Sequence, residues 1–155
     1  MAERTLPPVI GAEAEAADMP LIAEALAAEG LPGPERAGGT VFLVFREPGG
    51  GVIGFAGLLP VGPAALLRAL VVLPPARARG EGTAIVAAMA EEARRRGAEA
   101  LYLMTEGAAP FFEKLGFARI ARDAVPPEVA ASPEFTTLCP ASAVAMMRRL
   151  RSATH

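Results

Sequence analysis

The chain holds one cysteine, one histidine, one tyrosine, one lysine and no tryptophan among its 155 residues. Each scarcity removes a chemistry. Cys139 has no second cysteine with which to form an intrachain disulfide, and a zinc centre of the usual cysteine and histidine type lacks its ligands. A Ser-His-Asp or Cys-His pair would depend on His155, the last residue. Positive charge is also short. The formal net charge is -2 and the isoelectric point about 5.5, which argues against a main task of holding nucleic acid, since that needs a basic footprint. No uninterrupted apolar run approaches the ~20 residues of a membrane span, and Met1 to Pro8 contains no stretch of signal-peptide length. The expectation is a cytoplasmic protein without a metal, a membrane or a nucleic-acid partner.

What remains is ordinary globular material. Apolar residues make up 52% and charged residues 21% of the chain, and this length builds one domain that buries roughly 68–70% of the surface exposed by its unfolded chain. Residues 1–155 are expected to form that single domain, with no internal repeat or linker. A short strand is expected at Pro8–Ile10. Residues 13–29 carry Leu21, Ile22, Ala25 and Leu26 at helical spacing before Gly30 and Pro32. Val41–Arg46 and Val52–Leu59 read as an antiparallel hairpin around Glu47 to Gly51. Leu66–Leu73 is an apolar run broken by Arg68, long enough for a buried strand and ended by Pro74-Pro75.

The second half alternates. Gly82–Arg96 is patterned as a helix with Ile85, Ala88 and Met89 on one face, Glu91–Arg95 and Glu92–Arg96 as i,i+4 charge pairs, and Gly97 as its stop. Ala100–Thr105 reads as a strand, Ala108–Leu115 as a short helix closed by Gly116, and Phe117–Ala121 as another strand. Pro126-Pro127 opens a one-turn helix in an otherwise irregular tail. Ser142–Leu150 tolerates either state and is read as a final strand, whose edges could pair across a dimer. The class is mixed α/β.

The informative stretch runs from Leu70 to Thr83: a buried strand, the basic glycine loop Arg77-Ala78-Arg79-Gly80-Glu81-Gly82, and the start of a helix. Glycines let backbone N–H groups approach a ligand, the helix N-terminus carries about half a positive charge, and Arg77 and Arg79 supply cationic donors. A pyrophosphate suits such a site; the plainer reading is a tight turn with solvated arginines. Two familiar phosphate motifs fail on spacing. No lysine follows Gly82, as a P-loop requires, and Ile85 stands where a dinucleotide fingerprint needs a third glycine or alanine.

Arg77-x-x-Gly80-x-Gly82, the strand Leu70-Val71-Val72-Leu73-Pro74 before it, and Phe111-Phe112-Glu113-Lys114-Leu115-Gly116-Phe117 after it resemble the GNAT acetyltransferases over about residues 41–120. The resemblance implies a mostly antiparallel, twisted sheet of six to seven strands with helices on both faces. It also implies a splayed parallel pair, Leu66–Leu73 and Ala100–Thr105, that holds acetyl-CoA. Backbone groups of Leu70, Val71 and Val72 would take the pantetheine arm, and Arg77, Arg79, Gly80, Glu81, Gly82 and Thr83 the pyrophosphate. Thr105 and Phe112 fall where the family often has a cofactor-side asparagine and a tyrosine acid. The tail from Pro126 to Ala143 is similar to that of GNAT proteins from arsenic-resistance gene clusters, which suggests an amino-acid-like toxin or a related small amine as acceptor.

The acceptor residues stay open at this level. Arg68 either ends at the surface or pairs with an acceptor's anionic group. Glu106 is a base or amine binder, or simply an acid at a helix N-terminus. Tyr102 within its strand packs or donates a proton, and Cys139 is a buried structural thiol or a reactive one. With Phe112 in the tyrosine position, the chain is read as an N-acetyltransferase, monomeric or dimeric, or alternatively as a non-catalytic acyl-CoA-binding module.

Overall fold

Pro63 has a fixed negative φ, and Gly62 before it adopts φ +58°. That combination is a two-residue hairpin turn with glycine first, and it folds the middle of the chain back on itself. In the computed structural model, which describes residues 10–28, 40–73, 81–130 and 143–150, the turn joins β3 (Val52–Val61) to β4 (Ala64–Val72). Both strands are longer toward the turn than the sequence pattern suggests, because Pro60 and Val61 continue the ladder past the expected stop at Leu59. The remaining described elements are β1 (Ile10–Glu13), α1 (Met19–Ala28), β2 (Val41–Arg46), α2 (Glu81–Arg95), β5 (Ala100–Thr105), α3 (Ala109–Lys114), β6 (Ala118–Ile120), α4 (Pro127–Ala130) and β7 (Val144–Arg149). Seven described strands form a sheet that is mostly antiparallel, with β4 and β5 as a parallel pair, so the class is mixed α/β as expected.

The chain clusters into two units, Met1–Gly57 with Ala69–Met89, and Leu58–Arg68 with Ala90–His155. In the first, the strand order is β1-β2-β3-β4. Ile22 and Leu26, one helical turn apart on α1, pack with Phe42, Val44, Phe55 and Val71, and the Phe42 and Phe55 rings meet edge-on at 6.5 Å. Burying side chains of this size stabilises by about 1.5–3 kcal/mol each. The expected helix over 13–29 is shorter at its start. Strand β1 runs from Ile10, where a strand was expected, on to Glu13, paired with β2 from Ile10↔Arg46 to Glu13↔Leu43, and Ala16–Asp18 form a 3₁₀ turn. Asp18 fixes that start: its carboxylate accepts from the Glu15 N–H at 2.9 Å and from Arg46 Nη2 at 2.9 Å. The Glu15 amide first, then Arg46, hold its pKa below the usual carboxylate value.

In the second unit the order is β3-β4-β5-β7-β6. β4 and β5 pair in parallel over Ala64↔Ala100, Ala65↔Leu101 and Leu66↔Tyr102, a connection long enough to need the crossover helix α2. On its other side β5 pairs with β7 along its whole length, Ala100↔Arg149 to Thr105↔Val144. β7 in turn pairs with β6. The final segment is therefore a strand, and an interior one; the expectation of free edges there is corrected. Ala64, Leu66, Tyr102, Val125, Val129 and Ala145 form the cluster on one face. At the end of α2, Glu92 pairs with Arg96 at 2.7 Å as expected. Glu91 pairs with Arg94 rather than Arg95, and Arg95 with Glu92, one step earlier on the helix.

Candidate functional site

Gly54 and the end of β4 depart from a regular ladder. Counted back from the Gly62-Pro63 turn, Gly54 falls opposite Val71 and Ile53 opposite Val72. The Leu73 N–H, however, donates to the Ile53 carbonyl at 2.8 Å, one residue out of that register. A Cβ placed on Gly54 would lie 2.2 Å from the Val71 carbonyl oxygen, so this carbonyl has turned out of the plane of the ladder. Together these mark a β-bulge on β4 at residues 71–72, a feature that re-aims backbone groups. Val71 is 5% exposed and directs its side chain into the α1 cluster, which leaves its peptide groups, not its side chain, as the means of reaching a ligand. Leu70 and Val72 are half-buried.

Gly82 carries the next observation. It is the second residue of α2, in the helix's first turn and half-buried, and it is not among the glycines with positive φ. A tight turn therefore does not explain it. Glycine is a poorer helix former than alanine, and close approach of another molecule is a reason to accept one here. Thr83 follows it, also half-buried, and Glu81 begins the helix. Arg77, Arg79 and Gly80 lie outside the described residues.

Arg68 is the only charged side chain in the buried set of the described residues, at 8% exposure. Alternation along β4 puts it on the face of Ala64 and Leu66, whose cluster includes Tyr102, Val125 and Val129. The alternative of an arginine ending at the surface is thereby set aside. Tyr102, 8% exposed, packs its ring against the same cluster.

Thr105, at the end of β5, accepts from the Ala108 N–H through Oγ1 at 3.1 Å and so shapes the approach to α3. Glu106 is exposed and precedes α3 by three residues, so of its two readings that of an acid in the helix's first turn is set aside. Phe112 is 7% exposed and meets Phe111 and Phe117 edge-on at 5.0 and 5.6 Å. A phenylalanine there seals an aromatic cluster and supplies no proton. Cys139 lies outside the described residues. Among the described residues, no group of three histidine, cysteine, aspartate or glutamate side chains could hold a metal, and no helix is long and apolar enough to cross a membrane.

The sequence reading missed Gly54 and the Gly62-Pro63 turn. A lone glycine inside an apolar strand pattern is a known signal for a bulge or a close backbone approach, and Gly-Pro between two apolar runs is a turn signal.

The acetyltransferase (GNAT) domain matches residues 37–119. The chain belongs to this family. No curated protein sequence matches it. Among solved structures, it resembles N-acetylglutamate synthase from Neisseria gonorrhoeae complexed with coenzyme A and N-acetyl-glutamate, with TM-score 0.79 and 21% identity, covering 97% of this chain and 36% of that one. The chain thus spans about a third of that synthase. A Mycobacterium tuberculosis protein in complex with CoA gives TM-score 0.76 and 22% identity over 92% and 99% of the two chains. The ribosomal-protein-S18-alanine N-acetyltransferase of Escherichia coli gives 0.69 and 20% over 96% and 97%. At these identities the likeness is one of fold.

Proposed function

We propose that this protein transfers the acetyl group of acetyl-CoA to the amine of a small, amino-acid-like acceptor. The observation that carries the reading is Gly82, a glycine in the first turn of α2 where no backbone conformation demands one. Backbone groups of Leu70, Val71 and Val72 receive the pantetheine arm at the bulge, and the loop from Arg77 to Thr83 with the N-terminus of α2 takes the pyrophosphate. These residues fit the anionic, extended shape of acetyl-CoA.

Arg68 supplies the acceptor preference. A guanidinium held on a mostly apolar face is suited to the carboxylate or other oxyanion of an amino-acid-like molecule. The similarity of the tail to proteins of arsenic-resistance clusters supports a toxin of this kind. The neutral amine attacks the thioester carbonyl, forming a C–N bond and a tetrahedral oxyanion that backbone N–H groups stabilise. The C–S bond then breaks, the amine proton leaves to solvent, and the CoA thiolate is protonated by water. No protein acid is required, consistent with phenylalanine at position 112.

The test is calorimetric titration of the purified protein with acetyl-CoA, followed by thiol release across a panel of amines that includes phosphinothricin-like amino acids. Binding with turnover of a carboxylate-bearing amine is the expected result. Binding without turnover on any amine would make the protein an acyl-CoA-binding module, and no binding would overturn the reading.

A further inference from the structure

We propose that Gly54 is a positioning residue for acetyl-CoA: its missing side chain leaves the space into which the Val71 carbonyl turns, and so sets the backbone of residues 70–72. This rests on the reading above, in which that backbone receives the pantetheine arm. The three atoms nearest a Cβ at position 54 are the Val71 carbonyl oxygen at 2.2 Å, the Val72 Cα at 3.1 Å and the Val71 carbonyl carbon at 3.2 Å. All are backbone. At Gly11 and Gly51 the nearest atoms instead belong to the Phe45 ring, at 2.5 Å, and the Glu47 carboxylate, at 2.8 Å, and side chains of that kind can swing aside. The Val71 carbonyl is main chain, and the next peptide along is held by the Leu73 N–H bond to Ile53, at 2.8 Å, so it has no such freedom.

A methyl group on residue 54 therefore moves the 71–72 peptide itself. The peptide is planar, so a displaced Val71 carbonyl carries the Val72 N–H with it. Gly54 itself donates no side chain to a ligand, and its effect passes entirely through β4. A misplacement of about 1 Å from a change remote from the reacting atoms can cost on the order of 100-fold.

The experiment compares full-length wild type, Gly54→Ala and Leu26→Ala, the last chosen to lower stability from within the same cluster. Each is titrated with acetyl-CoA and with adenosine 3′-phosphate 5′-diphosphate, which carries the nucleotide and pyrophosphate without pantetheine. Gly54→Ala is expected to weaken acetyl-CoA binding by about tenfold or more while leaving the nucleotide within about twofold, and to raise the acetyl-CoA KM more than it lowers kcat. Leu26→Ala should lower the unfolding temperature without that selective loss. Unchanged acetyl-CoA affinity in Gly54→Ala, or the same selective loss in Leu26→Ala, would overturn the proposal. Failure of wild type to bind acetyl-CoA would instead overturn the parent reading. Should Gly54→Ala not fold, amide resonances of wild type decide: the Gly54 signal should shift to saturation with acetyl-CoA and not with the nucleotide, and an unmoved Gly54 signal is the contrary result.

Discussion

The two halves of β4 use the same covalent material in opposite ways. From Ala64 to Leu66 the backbone is occupied by regular pairing with β5, and up to Arg68 the side chains distinguish one residue from the next: Leu66 fills a cluster and Arg68 brings a charge to its face. From Leu70 to Leu73 the side chains are all apolar, and under the proposed reading the backbone, turned out beside Gly54, makes the contact with the cofactor. A strand can thus hold a polar cofactor with valines, because every peptide brings a donor and an acceptor whatever its side chain.

The comparison can be broken at several points. Gly82→Val should have the largest effect, a loss of acetyl-CoA affinity of about 100-fold or more by closing the approach to the α2 N-terminus. Circular dichroism should remain that of wild type, since valine is at least as good a helix residue as glycine; an unchanged dissociation constant would remove the pyrophosphate from this turn. Leu66→Ala should cost about 2–5 kcal/mol in urea unfolding, with acetyl-CoA affinity retained, as the side-chain half of β4 requires. Arg68→Ala should raise the acceptor KM by roughly 10–100-fold, as expected for loss of a charge-assisted hydrogen bond, with the acetyl-CoA KM within twofold or so. Equal changes in both constants would sever Arg68 from the acceptor.

The smallest effect is electrostatic. The carboxylate of Asp18 has its pKa lowered by the Glu15 amide and Arg46. Its stabilisation is therefore fully present above the ordinary carboxylate value of about 3.9 and is lost as pH falls through the lower native value. Asp18→Asn should flatten the acid limb of the stability curve and leave its shape above pH 5 or so unchanged, as followed by urea midpoints from pH 7 to pH 2. The change should be modest, because a half-buried pair at the surface is still reached by solvent and ion pairs there are weak. An unaltered acid limb would show that the pair contributes nothing in solution.

Much of this was legible without coordinates, for reasons that differ by residue. Glu91 to Arg96 announced a charged helix end, and Leu66 to Leu73 a buried strand, because periodicity and apolar runs are local signals. The start of α1 was misread, since Glu13 to Asp18 satisfy a helical composition, while pairing with β2 holds Glu13 in a strand and Ala16–Asp18 form a 3₁₀ turn. Glu91 found Arg94 rather than Arg95 because i,i+3 and i,i+4 partners are near-equivalent on a helix surface. Gly54 lay unremarked in its strand, since only the opposing carbonyl shows why a side chain is excluded there.

By itself the sequence determined the α/β class, the family through its loop and its Phe-Phe-Glu-Lys-Leu-Gly-Phe ending, and that Cys139 has no partner among these residues for an intrachain disulfide. These follow from composition and from short motifs. Tertiary structure alone decided that β7 is interior, that Arg68 is buried on the Leu66 face, that Phe112 closes an aromatic cluster and that the Val71 carbonyl leaves its ladder. Each of these depends on which distant residue lies opposite, a choice made by packing between segments that no local pattern encodes.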